Sequence, residues 1–147
     1  MSRSSVPVLR RLPAALVIVL VLATGVPTVA AEPDHVGRWV SDSRRDSGFG
    51  YVLTLKRSTV QAADYAGSLR FFYPDGRVGS TVRVVANGMG ETVVLTARSG
   101  SFDRSGRTLR ATIDPRSGEM TFVNCQERLR LVMSWALDSD CVLRRTR

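Results

Sequence analysis

A chain of 147 residues with 21 basic and 13 acidic side chains, net +8, has the length for one modest core and not for two. One histidine and two cysteines, with no Cys-x-x-Cys, exclude the usual zinc sites and leave a histidine-dependent hydrolase a single imidazole. No Gly-rich loop joins a strand to a helix, so no nucleotide or other cofactor is expected.

The N-terminus has the parts of an export leader. Arg3, Arg10 and Arg11 flank or precede the apolar run Ala14 to Ala23, and no acid occurs before Glu32. Pro27-Thr-Val-Ala-Ala31 then places small residues where a signal peptidase needs them, and cleavage after Ala30 or after Ala31 fits. The run is shorter than the roughly 20 residues of a spanning helix, and Pro13 and Pro27 bracket it. The expectation is a cleaved leader over residues 1–30 and a single secreted β domain over 31–147, with no transmembrane segment in the mature chain. Arg10-Arg11 leaves the general and twin-arginine export routes both open. Losing Arg3, Arg10 and Arg11 from the 21 bases leaves 18 against 13 acids. Lys56 is the only lysine, a bias that the codon usage of a GC-rich genome explains.

The rest reads as strand after strand. Val36–Ser41 carries Trp39. Asp42 and Asp46 around Arg44-Arg45 then read as a solvated loop. Phe49–Arg57 puts Tyr51, Leu53 and Leu55 on one face, and Gly67–Tyr73 groups Leu69, Phe71 and Tyr73. Between them, Ser58-Thr-Val-Gln61 has capping-box spacing, but a loop or strand extension fits as well. Pro74-Asp75-Gly76 is a hairpin turn leading to Arg77–Ala86, and Asn87-Gly88 begins the reversal into Glu91–Arg98. Thr108–Val123 is a further hairpin, with Leu109, Ala111 and Ile113 on one arm and Met120 and Phe122 on the other. Leu129, Leu131 and Met133 alternate with Arg128 and Arg130, and a last strand falls within Trp135–Arg145, broken near Asp138-Ser-Asp140. Period-two alternation means sheets with one face in a core. Eight or nine such strands predict an all-β fold, an antiparallel up-and-down barrel of about eight strands or else a β-sandwich. Cys125 and Cys141, an even count in an exported chain, predict one disulfide.

Gly37-Arg-Trp39 resembles the Gly-x-Trp opening of the calycin barrels, the lipocalins and avidins, and the whole resembles small exported β domains of high-GC Gram-positive bacteria. The resemblance covers that triplet, the strand count and an Arg near the C-terminus. It implies a barrel whose Trp39 closes one end, with Arg144 or Arg145 packed across the indole. It implies no particular ligand.

A barrel of this size is either filled by side chains or holds one small ligand. Trp39, Tyr51, Phe71, Tyr73, Phe122 and Trp135 are the candidate wall of an interior site, and equally the candidate core. Phe71 and Phe72 are adjacent, so they point to opposite faces. Asp138-Ser-Asp140 holds two carboxylates but lacks the other ligands of a calcium loop, and no metal is expected. His35 sits near the new N-terminus and no Gly-x-Ser-x-Gly occurs, so no catalytic residue is assigned. Arg70, Arg83, Arg98, Arg110, Arg128 and Arg130 recur on polar strand faces. Two functions follow: a non-catalytic barrel binding a small hydrophobic or amphipathic ligand inside, or an extracellular module. The second works through loops or an Arg-rich face on a protein or an anionic cell-envelope surface. Nucleic acid is not the expected partner.

Overall fold

The computed structural model describes residues 34–100, 102, 106–131 and 134–147, with the backbone alone at 130, 131, 134 and 135. The leader and its cleavage site therefore lie outside the described residues.

Thirteen short elements follow in order. They are β1 (Gly37–Ser41), α1 (Asp42–Ser47), β2 (Gly50–Arg57), β3 (Tyr65–Phe72), β4 (Val78–Met89), β5 (Thr92–Ser99) and β6 (Thr108–Ile113). Then come β7 (Glu119–Phe122), α2 (Cys125–Arg128), β8 (Arg130–Leu131), β9 (Ser134–Trp135), α3 (Asp138–Cys141) and β10 (Val142–Thr146). Eight strands close into an antiparallel barrel in the order β1-β10-β7-β6-β5-β4-β3-β2, while β8 and β9 form a separate hairpin. Each strand from β2 to β7 pairs with its chain neighbour, and β10 closes the ring between β1 and β7. Closure leaves no open sheet edge in the ring.

Alternation decides what faces inward. Tyr51, Leu53 and Leu55 of β2, Leu69 and Phe71 of β3, and Val84 and Ala86 of β4 are buried. So are Val93, Leu95 and Ala97 of β5, Leu109, Ala111 and Ile113 of β6, Met120 and Phe122 of β7, and Leu143 of β10. They form one cluster, and each large member contributes roughly 1.5–3 kcal/mol by leaving water. Val78, by contrast, is 49% exposed; it pairs with Phe72, just past the register shift between β3 and β4.

Both barrel ends are closed. At the end where Gly37 pairs with Leu55, buried His35 lies across the opening, its Nδ1 3.2 Å from the Tyr65 hydroxyl. The Trp39 indole N–H donates to the His35 carbonyl at 3.2 Å. Arg145, opposite Trp39 in the ladder, holds its guanidinium 5.7 Å above the indole and donates to the Val36 carbonyl. The Arg on the tryptophan is thus Arg145, while Arg144 turns outward to Asp42 and Glu119.

At the other end lie α1, α2 and α3. The predicted loop at 42–47 is helix α1, set by its caps and not by an apolar stripe: no residue of it is buried. The Ser41 side chain accepts from the Arg44 N–H, and Gly48 ends the helix in the left-handed region at φ 79°. The same Ser41 oxygen accepts the Tyr51 N–H at 2.9 Å. Gly50 is required beside this knot, since a Cβ there would stand 2.3 Å from the Ser41 hydroxyl and 2.4 Å from that of Ser43. Of the strand predicted through Leu129 and Leu131, only Arg130–Leu131 is a strand, β8, and it lies outside the ring, while Arg128 ends α2 and Met133 lies outside the described residues. A Cys125–Cys141 disulfide joins α2 to α3.

Candidate functional site

The six aromatic candidates separate. Trp39 belongs to the His35 end. Tyr51, Phe71 and Tyr73 come together at the other end with Phe49, where Phe71 lies 4.8 Å from the Phe49 ring, 5.6 Å from Tyr51 and 5.3 Å from Tyr73. These tilted and edge-on contacts are those in which aromatic pairs gain most. Phe122 is buried in the core at 3% exposure. The side chain of Trp135 lies outside the described residues. Phe72 points out of the barrel and carries the Arg44 guanidinium 4.6 Å above its ring.

A buried polar chain underlies the aromatic end. Ser41 and Ser43 hydroxyls are 3.0 Å apart, Ser43 donates to the Asp140 carboxylate, and Asp140 also accepts the Leu137 N–H at 2.8 Å. Asp140 is 1% exposed. Burial, with the Asp140 charge added to it, pushes the Tyr51 phenol well above the ordinary tyrosine range. Sequence reading missed this chain, because Ser43 and Asp140 are 97 residues apart and no local signal links them. His35 stands at the opposite barrel end, so the three do not form a nucleophile relay. Asp138 turns away from Asp140 to accept from the Gln126 amide. No group of three or more potential metal ligands occurs among the described residues.

The outer surface is organised differently. No Asp or Glu occurs within β2, β3, β4, β5 or β6. Arg70, Arg83, Arg98 and Arg110 stand on these strands, all exposed, and none makes an ion pair or side-chain hydrogen bond among the described residues. The ladder brings three of them close. Arg83 pairs with Ser68, two residues from Arg70, and with Ser99, next to Arg98, where a bulge adds a residue to β5. Exposed Arg107 stands just before β6, its carbonyl accepting the Ala97 N–H at 2.7 Å. Arg110 lies farther along β6, opposite Val94.

Several acids among the described residues are engaged away from these guanidiniums. Asp64 accepts the Gly88 N–H at 2.9 Å. Asp75 caps its own turn, the Arg77 N–H and then its guanidinium holding the carboxyl below the usual range, and the Arg116 N–H and the Ser117 hydroxyl do the same for Asp114. Asp42 and Glu119 bind Arg144 on the far side. Adjacent like charges on one sheet face repel, and among the described residues no carboxylate pairs with these four arginines.

Among the described residues, clefts open at these three places on the surface. The largest, about 830 Å³, lies by the β6–β7 turn and the C-terminus and includes Arg144, Arg145 and Asp114, whose charges are already engaged. A second, about 410 Å³, is lined by Val94, Thr108, Leu109, Arg110, Val123, Asn124 and Arg128. The third, about 420 Å³, lies between α2 and α3 and includes Glu127 and Asp138. Among the described residues no helix is long and apolar enough to cross a membrane. The chain matches no family model, no curated protein and no solved structure.

Proposed function

We propose that the protein works at its outer surface, as a non-catalytic extracytoplasmic module that holds a phosphate-rich polyanion of the cell envelope against the face of β3 to β6. The observation that carries this reading is that strands β3 to β6 hold no acid and that the exposed guanidiniums of Arg70, Arg83, Arg98 and Arg110 meet no carboxylate among the described residues. Guanidinium is the group suited to it, because its planar fork matches two phosphate oxygens at once. The Cys125–Cys141 disulfide supports an oxidising compartment. The outer surface is favoured over an interior ligand because the inward aromatics are already packed against one another and against aliphatic core residues.

Long-chain inorganic polyphosphate is a suitable probe. Binding should weaken steeply with salt, log affinity falling linearly with log salt by roughly one unit per phosphate neutralised. A neutral polymer of similar length should not bind. Absent or salt-insensitive binding of polyphosphate would remove the proposal.

A further inference from the structure

The cleft of about 410 Å³ differs from the rest of the cationic face in having walls. Arg110 enters it from β6 and Arg128 from α2, so two guanidiniums from segments distant in sequence face one space. Arg128 is half-buried, which makes its charge costlier to leave without an anion, yet neither arginine meets a carboxylate among the described residues. Asn124 adds an amide that makes no capping bond to α2, and its backbone is held at φ 53°, a conformation asparagine tolerates better than most residues. Thr108 adds a hydroxyl, and Val94 and Val123 supply an apolar wall beside the charges. Placement is firm on both sides: the Val123 N–H donates to the Arg110 carbonyl at 2.8 Å, and the disulfide at Cys125 anchors α2. The volume lies within the range of small-ligand sites.

From this juxtaposition we infer that the cleft between β6 and α2 is a subsite for a single phosphate ester, its oxygens taken by Arg110 and Arg128 and the first carbons of its alcohol by Val94 and Val123. This rests on the proposed function in assigning phosphate as the anion, and it adds a discrete site for one unit of the polymer. Paired guanidiniums bind phosphate through charge-assisted hydrogen bonds, the strong class, and a short alkyl stem covers apolar surface that inorganic phosphate leaves wet.

The test is a titration of the full chain with propyl phosphate, inorganic phosphate and propanol, followed by NMR at the Asn124 side-chain amide and the Arg110 and Arg128 Nε–H groups. Propyl phosphate should saturate these signals, more tightly than inorganic phosphate, and propanol should not move them. Arg110→Gln and Arg128→Gln should each weaken propyl phosphate roughly tenfold or more, while leaving the fold intact by the dispersion of the remaining amide signals. Polyphosphate binding, measured in parallel, separates the two claims. Retained polyphosphate binding without saturation at the cleft overturns the subsite and leaves the proposed function standing. Saturation at the cleft without polyphosphate binding supports the subsite and removes the polyanion reading. Shifts of equal size at Arg70 and Arg83 would also overturn the subsite, since they would mean diffuse attraction over the whole face.

Discussion

Asp140 ties the barrel to the short helices at one of its ends, and Tyr51 feels its charge. The Asp140 carboxylate gathers Ser43 from α1 and the Leu137 N–H from its own turn, and its charge lies close enough to Tyr51 to disfavour a phenolate. The pH consequence has a definite sign. In the unfolded chain the phenol loses its proton near pH 10, while in the folded chain it keeps it well beyond that. Above about pH 10 the unfolded state therefore binds fewer protons, and stability present at lower pH is lost at up to about 1.4 kcal/mol per pH unit from this one group. Tyr51→Phe should flatten that alkaline decline in urea-unfolding free energies measured from pH 9 upward. An unchanged slope in the variant would show that another group carries it. None of this is legible locally. Asp138-Ser-Asp140 reads as a turn from its residue types, and only the fold shows that one carboxylate is buried and the other exposed.

At the scale of elements, α2 and α3 are held less by packing than by a covalent tie. Each is four residues long, too short to carry a helical apolar face, and each places a cysteine in the core. Cys125 and Cys141 are separated by 16 residues, and closing a loop of that length stabilises by about 3 kcal/mol on the chain-entropy model. The Cys125→Ser, Cys141→Ser double variant should lose about that much in urea unfolding. Its hydrogen-exchange protection should fall first across residues 125–141, with the centre of β5 the last to open. Uniform loss across the barrel would mean that the disulfide braces the whole fold and not this segment. The same shortness explains the sequence reading. From 36 to 123 the strands announce themselves, because Leu53, Leu69, Leu95 and Leu109 each sit in a period-two run with turn residues at its ends. Leu129 and Leu131 have the same spacing without lying in a ring strand, for a four-residue helix and a hairpin of two-residue strands leave no period to distinguish them. Helix α1 was equally hidden, being defined by Ser41 and Gly48 at its caps while its own residues are polar throughout.

At the scale of the molecule, the barrel separates two tasks. Its inward positions form one buried cluster of aliphatic and aromatic side chains. Its outward positions on β3 to β6 hold no acid and carry four exposed arginines. The recurrence of arginine on polar strand faces was visible in the sequence. That Arg70, Arg83 and Arg98 converge across three strands was not, because it depends on the register and on the bulge at Arg83. Nor did the sequence indicate that Arg144 and Arg145, equally charged, are neutralised by Asp42, Glu119 and Asp34 on the other side.

Charge in general must therefore be distinguished from charge in this place, and one comparison does so. The triple variant Arg70→Gln, Arg83→Gln, Arg98→Gln and the triple variant Arg38→Gln, Arg116→Gln, Arg147→Gln have the same net charge, and all six side chains are exposed. Their affinities for long-chain polyphosphate, measured at one fixed low salt concentration alongside the unaltered protein, isolate the face. The account predicts that the first triple loses most of the binding, roughly tenfold or more for the contacts removed, while the second keeps it within a small factor. Equal losses in the two variants would contradict it, and would show that the protein attracts polyanions by its overall charge and not through the face of β3 to β6.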